Sequence, residues 1–139
     1  MPDGLQGKRI LVVEDEKVIA ETLMKILSAA GYDARASHSA EDALAMLEEA
    51  AWSPDFSIID VSLPGMNGIE LAIRFKTEHP NWRLTLFSGQ SSTSELLEKA
   101  QQDGQHFDVL AKPVHPSELL ALICHALSPP PATTTDESS

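Results

Sequence analysis

Residues 56–60 read Phe56-Ser57-Ile58-Ile59-Asp60, an apolar run closed by a carboxylate. Three other short runs end on a polar group in the same way: Ile10 to Val13 in Glu14-Asp15, Leu84 to Phe87 in Ser88, and Val109 to Ala111 in Lys112. Continuous aliphatic and β-branched runs of this length predict strands covered on both faces, the condition of a parallel sheet. Open α/β sheets bind ligands at the carboxyl ends of their strands, so groups far apart in sequence meet at one edge. Carboxylates, a hydroxyl and an ammonium gathered there predict a divalent-metal site beside a nucleophile, with a cation and a hydroxyl to receive phosphoryl oxygens.

Between the runs the apolar spacing turns helical. Ile19, Leu23, Ile26, Leu27 and Ala30 fall on one face of a helix over Glu16 to Ala30, which Gly31 stops. A weak alternation, Tyr32 to Ser37, precedes a helix from Ser39 or Ala40 through Glu49, with Ala43, Leu44 and Leu47 facing in. After Asp60 come the loop Ser62-Leu63-Pro64-Gly65-Met66 and a helix from Asn67, its N-cap, to Glu78, ended by His79-Pro80. Helices across Ser94 to Gln102 and Pro116 to Leu127 follow the strands Arg83 to Ser88 and Phe107 to Ala111. Strands alternating with helices, without hairpin signals, predict an α/β fold: a doubly wound five-stranded parallel sheet with five helices. The second strand is weakly apolar and the fifth carries Asp108, so both belong at edges, giving the order 2-1-3-4-5. That order puts the switch point between strands one and three, beside Glu14, Asp15 and Asp60.

The chain has 139 residues, which suits one domain: an extension over residues 1–7, the domain over 8–127, and a disordered Pro/Thr/Ser-rich tail over 128–139. No apolar run approaches the ~20 residues of a membrane span, and the N-terminal segment lacks a signal-peptide pattern, so a soluble, cytoplasmic protein is expected. The formal net charge of −11 repels nucleic acid phosphates, and no basic cluster offsets it. Cys124 is the single cysteine and sits in the apolar stretch LLALICHAL, where a small buried hydrophobe is the expected role. The five histidines lack metal-ligand spacing, and they and Trp52 and Trp82 are expected in packing or surface roles.

The segments LVVEDE, SIIDVSLPGMNGIEL, LTLFSG and VLAKP resemble the receiver domain of two-component response regulators, in register over roughly residues 8 to 127. The resemblance implies a CheY-like, flavodoxin-like fold and assigns Asp60 as the phosphoacceptor. A carboxylate is a competent nucleophile toward phosphorus when a metal neutralises the incoming charge. Mg²⁺ would be held by Glu14, Asp15 and Asp60 and, by resemblance, by the backbone carbonyl of Ser62; hard oxygen donors and retained waters suit that ion. Without a cation, two unit charges ~4 Å apart at an effective dielectric of ~20 repel by about 4 kcal/mol. Glu14-Asp15 also complement the macrodipole of the helix they precede, and the two roles coexist. Lys112 would pair with Asp60 and then with a phosphoryl oxygen, aimed by a family-like cis bond to Pro113. Ser88 would donate to the phosphoryl group, with Gly89 leaving room for the loop.

The resemblance also implies partners: a sensor histidine kinase or histidine phosphotransfer protein as donor, and a protein output partner on the face built by the fourth helix, fifth strand and fifth helix. Seven residues before the first strand and a short polar tail leave no room for an output domain, so a stand-alone receiver signalling by protein contact is expected, a switch rather than an enzyme. One position departs from the family. Receivers usually carry Tyr or Phe three residues before the lysine, where the ring turns inward on activation; here stands Val109, stiff at its first torsion and without a ring. Phe107 is two residues back, roughly 7 Å from that position. Ser62 and Gln90 stand where family members tune dephosphorylation. Two other readings stay open: an interaction module that works without phosphorylation, motivated by Val109, and an aspartyl-nucleophile phosphatase. The latter class carries its nucleophile after the first strand with a second aspartate two residues on, whereas Asp60 follows the third and is succeeded by Ser62.

Overall fold

Alternate residues of the central strands point into two separate cores, one on each side of a single sheet. The computed structural model describes residues 7–63, 65–88, 98, 109–111 and 115–127. The strands β1 (Arg9–Val13), β2 (Asp33–Ser37), β3 (Phe56–Asp60), β4 (Arg83–Ser88) and β5 (Val109–Ala111) are all parallel, in the order β2-β1-β3-β4-β5. The predicted order therefore holds, with β2 and β5 at the edges. Leu11, Val13, Ile59 and Leu86 pack against α2 (Ala40–Ala50) and α3 (Gly68–Glu78). Ile10, Val12, Phe56, Ile58 and Phe87 pack on the other side against α1 (Lys17–Ala29) and the C-terminal helix (Pro116–Leu127). Burying each Leu or Ile completely stabilises by roughly 1.5–3 kcal/mol, which is why β1 and β3 lie at the centre and the polar β2 does not.

The helix ends follow local chemistry. Gly31, at φ 99°, closes α1: its N–H donates to the Ser28 carbonyl at 3.0 Å and the Tyr32 N–H to that of Leu27 at 3.1 Å, a Schellman ending with Leu27 and Tyr32 in one core. Ser39 caps α2 by accepting from the Asp42 N–H at 3.0 Å. Asn67 caps α3 in a full capping box: its side chain accepts from the Glu70 N–H at 2.9 Å, and its own N–H donates to the Glu70 carboxylate at 3.0 Å. On α1, Ala20 is buried where the apolar pattern pointed to Ile26, which is only half-buried. Of the helix predicted across Ser94 to Gln102, only Glu98 lies within the described residues, and it is helical. The tail from residue 128 and residues 1–6 lie outside them.

Candidate functional site

β1 and β3 are hydrogen-bonded neighbours, with Val13 level with Ile59, so the residues that follow them emerge side by side. Glu14, Asp15 and Asp60 each place a carboxylate oxygen so that all three lie within 4.8 Å of one another. Glu14 and Asp60 are buried and Asp15 is exposed, leaving the group open to solvent on one side. The backbone supports both buried acids. The Ser62 N–H donates to Asp60 Oδ1 at 3.0 Å, holding the carboxylate by the loop that follows it. The Glu16 N–H donates to Glu14 Oε2 at 2.9 Å, so Glu14 also serves the amino end of α1, where Glu16 makes no side-chain cap.

Close packing beneath Asp60 fixes its direction. The Val61 N–H donates to the Phe87 carbonyl at 3.0 Å, and the Gly68 N–H to the Val61 carbonyl at 3.0 Å, bringing the first turn of α3 against the end of β3. Gly68 permits this approach: a Cβ there would overlap the Asp60 carbonyl oxygen and stand 2.7 Å from its carbon. The sequence reading did not single out Gly68, whose requirement comes from a contact between two elements rather than from a positive φ. The one available signal was its place directly after the N-cap Asn67.

Ser88 ends β4, half-buried, one residue beyond Phe87, which is level with Asp60. Ser88 is itself level with Ala111, the residue before Lys112 in sequence. Register thus brings the ends of β3, β4 and β5 to the same edge of the sheet. Lys112, Pro113, Gly89, Gln90 and Phe107 lie outside the described residues. Val109 pairs with Leu86 and is 41% exposed. The acidic group fits a small hard cation: it offers carboxylate oxygens within 4.8 Å of one another, with Asp15 exposed so that one side is open to solvent.

Among the histidines, His38 reaches the site from β2, its Nδ1 3.0 Å from the Glu14 carbonyl. Trp82 and Trp52 take structural roles, Trp82 stacked on His79 with centroids 3.8 Å apart and Trp52 beneath the Arg35 guanidinium at 4.7 Å.

Known proteins agree with this geometry. The family model described as the response regulator receiver domain matches residues 10–124. The response regulator protein FleR of Pseudomonas aeruginosa is 33% identical over 129 residues, covering 92% of this chain and 26% of its own length. The response regulator MprA of Mycobacterium avium is 33% identical over 113 residues, covering 81% of this chain and 48% of its own. The chain thus spans between about a quarter and a half of these curated relatives. Among solved structures, the signal receiver domain of an HD domain-containing protein from Pseudomonas fluorescens Pf-5 superposes with a TM-score of 0.77 at 30% identity, covering 88% of this chain and 95% of that one. A CheY-like receiver domain protein from Methanospirillum hungatei JF-1 gives a TM-score of 0.75 at 27% identity, covering 86% and 93%. Strand order, strand-end carboxylates and the family match over residues 10–124 agree, and the chain belongs to the response regulator receiver domain family.

Proposed function

We propose that Asp60 accepts a phosphoryl group from the phosphohistidine of a sensor kinase or histidine phosphotransfer protein, and that the modified domain signals by protein contact. The observation that carries this reading is the group Glu14, Asp15 and Asp60, with carboxylate oxygens within 4.8 Å of one another at the carboxyl ends of β1 and β3. A carboxylate oxygen of Asp60 attacks phosphorus, the N–P bond to the donor imidazole breaks, and the imidazole leaves with its electron pair. The Ser62 amide holds Asp60 Oδ1 and so orients the carboxylate for attack.

Glu14, Asp15 and Asp60, with the Ser62 carbonyl, would hold Mg²⁺, which neutralises charge on the phosphoryl oxygens. Ser88 donates to one of those oxygens from the end of β4, and Lys112 pairs with another. The chain carries out its own transfer and hydrolysis as a cytoplasmic switch and turns over no separate substrate. Its output surface includes β5 and the C-terminal helix. The curated relatives are longer regulators, and this mode of output works equally on a separate partner or on attached chain.

The test is incubation with acetyl phosphate and Mg²⁺, read by intact mass. One phosphoryl group is gained, and the gain disappears with EDTA or in Asp60→Asn. No gain from acetyl phosphate or from a broad kinase panel overturns the proposal. Val109 favours a second reading, a module that binds without phosphorylation, because an exposed valine has no ring to bury on activation. Partner affinity unchanged by Asp60→Asn and by acyl-phosphate analogues would select it.

A further inference from the structure

The corner between β2 and α2 touches both loops that carry the acidic group. At its start, the Ser37 carbonyl accepts from the Glu14 N–H at 3.0 Å, and the next residue, His38, places Nδ1 3.0 Å from the Glu14 carbonyl. A carbonyl oxygen can only accept, so Nδ1 carries the proton and donates. Both peptide groups of Glu14 are thus held by consecutive residues of one neighbouring segment. Three residues on, in the first turn of α2, Glu41 Oε2 accepts from the Met66 N–H at 3.1 Å. Met66 lies in the loop between Asp60 and the Asn67 cap, and its neighbour Gly65 turns at φ 71°, where a Cβ would stand 2.9 Å from the same Glu41 oxygen.

We propose that His38 and Glu41 are positioning residues that clamp the two halves of the metal site together from the β2–α2 corner, an inference that rests on the functional reading above. Glu14 and Asp15 follow β1 and Asp60 ends β3, so the carboxylates belong to two loops that like-charge repulsion drives apart. His38 restrains the first loop, and Glu41, through a hydrogen bond to a charged acceptor, restrains the second. The two side chains are three residues apart on a single stretch that begins at an edge strand, so whatever displaces this corner loosens both loops at once. By reciprocity, cation binding at the carboxylates steadies the corner.

The experiment uses the full chain, with Mg²⁺ affinity read by calorimetry and amide hydrogen exchange read site by site. His38→Ala weakens Mg²⁺ binding by about tenfold, the lower end of what losing an orienting partner costs a metal site. His38→Asn, whose amide nitrogen stands where Nδ1 stood, restores affinity to within about twofold, whereas His38→Gln, which reaches past that position, does not. Glu41→Ala speeds exchange at the Met66 amide by about tenfold, the loss of roughly one hydrogen bond, and Glu41→Gln does so less. A folded His38→Ala with wild-type Mg²⁺ affinity, or equal losses in the Asn and Gln variants, overturns the role of His38. Unchanged Met66 exchange in Glu41→Ala overturns that of Glu41. A wild-type chain that takes up no Mg²⁺ overturns the functional reading instead, and the exchange measurement then decides the clamp alone.

Discussion

Gly68 lies so close to Asp60 that a single added carbon would overlap the carbonyl oxygen of the acid. The hydrogen bond from the Gly68 N–H to the Val61 carbonyl at 3.0 Å draws the first turn of α3 into this position. Gly68→Ala must therefore push α3 or the end of β3 aside. We expect a destabilisation of roughly 1–3 kcal/mol in urea unfolding, the usual cost of overpacking, together with slower phosphorylation in the surviving folded fraction.

Ala51 gives the opposite case. It ends α2 in the left-handed conformation, at φ 49° and ψ 40°, where glycine is the ordinary residue. The side chain is exposed, so little packing is lost on removing it. Ala51→Gly should stabilise by about 0.5–1 kcal/mol, read as a raised urea midpoint with unchanged slope.

Tyr32 makes stability depend on alkaline pH. Burial, and secondarily electrostatic repulsion from nearby Cys124, raise its phenol above the usual 10.0. Below that value the phenol is neutral in both states and its contribution is complete. Above it the unfolded chain gives up the proton first, so stability falls as pH climbs through the raised folded value. Tyr32→Phe has no proton to lose, and its unfolding free energy should fall less steeply above pH 10 in a denaturant series taken at successive pH values.

Cation binding should appear in stability before any phosphoryl donor is added. At a free Mg²⁺ concentration about a hundredfold above its dissociation constant, unfolding should cost about 2.7 kcal/mol more than in EDTA. Asp15→Asn, which removes an exposed charge without touching either core, should abolish most of that increment and leave stability in EDTA unchanged or slightly raised.

The parts of this molecule legible in sequence are those fixed by local pattern. Phe56–Asp60, Arg83–Ser88 and Pro116–Leu127 have the predicted bounds because each is delimited by its own apolar run or by a proline start. The Asn67 cap was equally legible, since a short polar side chain followed three residues later by Glu70 is a local signal. β1 ends at Val13, where the apolar run ends, because Glu14 already turns toward α1, donating to the Ser37 carbonyl and holding the Glu16 amide. The carboxylates of the site could be paired from sequence because strand order follows from which strands are polar, and order alone brings Glu14 beside Asp60. His38, Glu41 and Gly68 could not. Their partners are 24, 25 and 8 residues away, and each contact depends on how far one element slides past another, which hydropathy does not encode.

If Asp60 is the phosphoryl donor's target, the acyl phosphate formed there can be marked where it stands. After incubation with acetyl phosphate and Mg²⁺, borohydride reduces an aspartyl phosphate to homoserine, and peptide sequencing by mass spectrometry then locates the reduced residue. Conversion at position 60, absent in EDTA, is the predicted result. Conversion at Glu14, Asp15 or another acid with Asp60 intact, or no conversion under any phosphoryl donor, would contradict it.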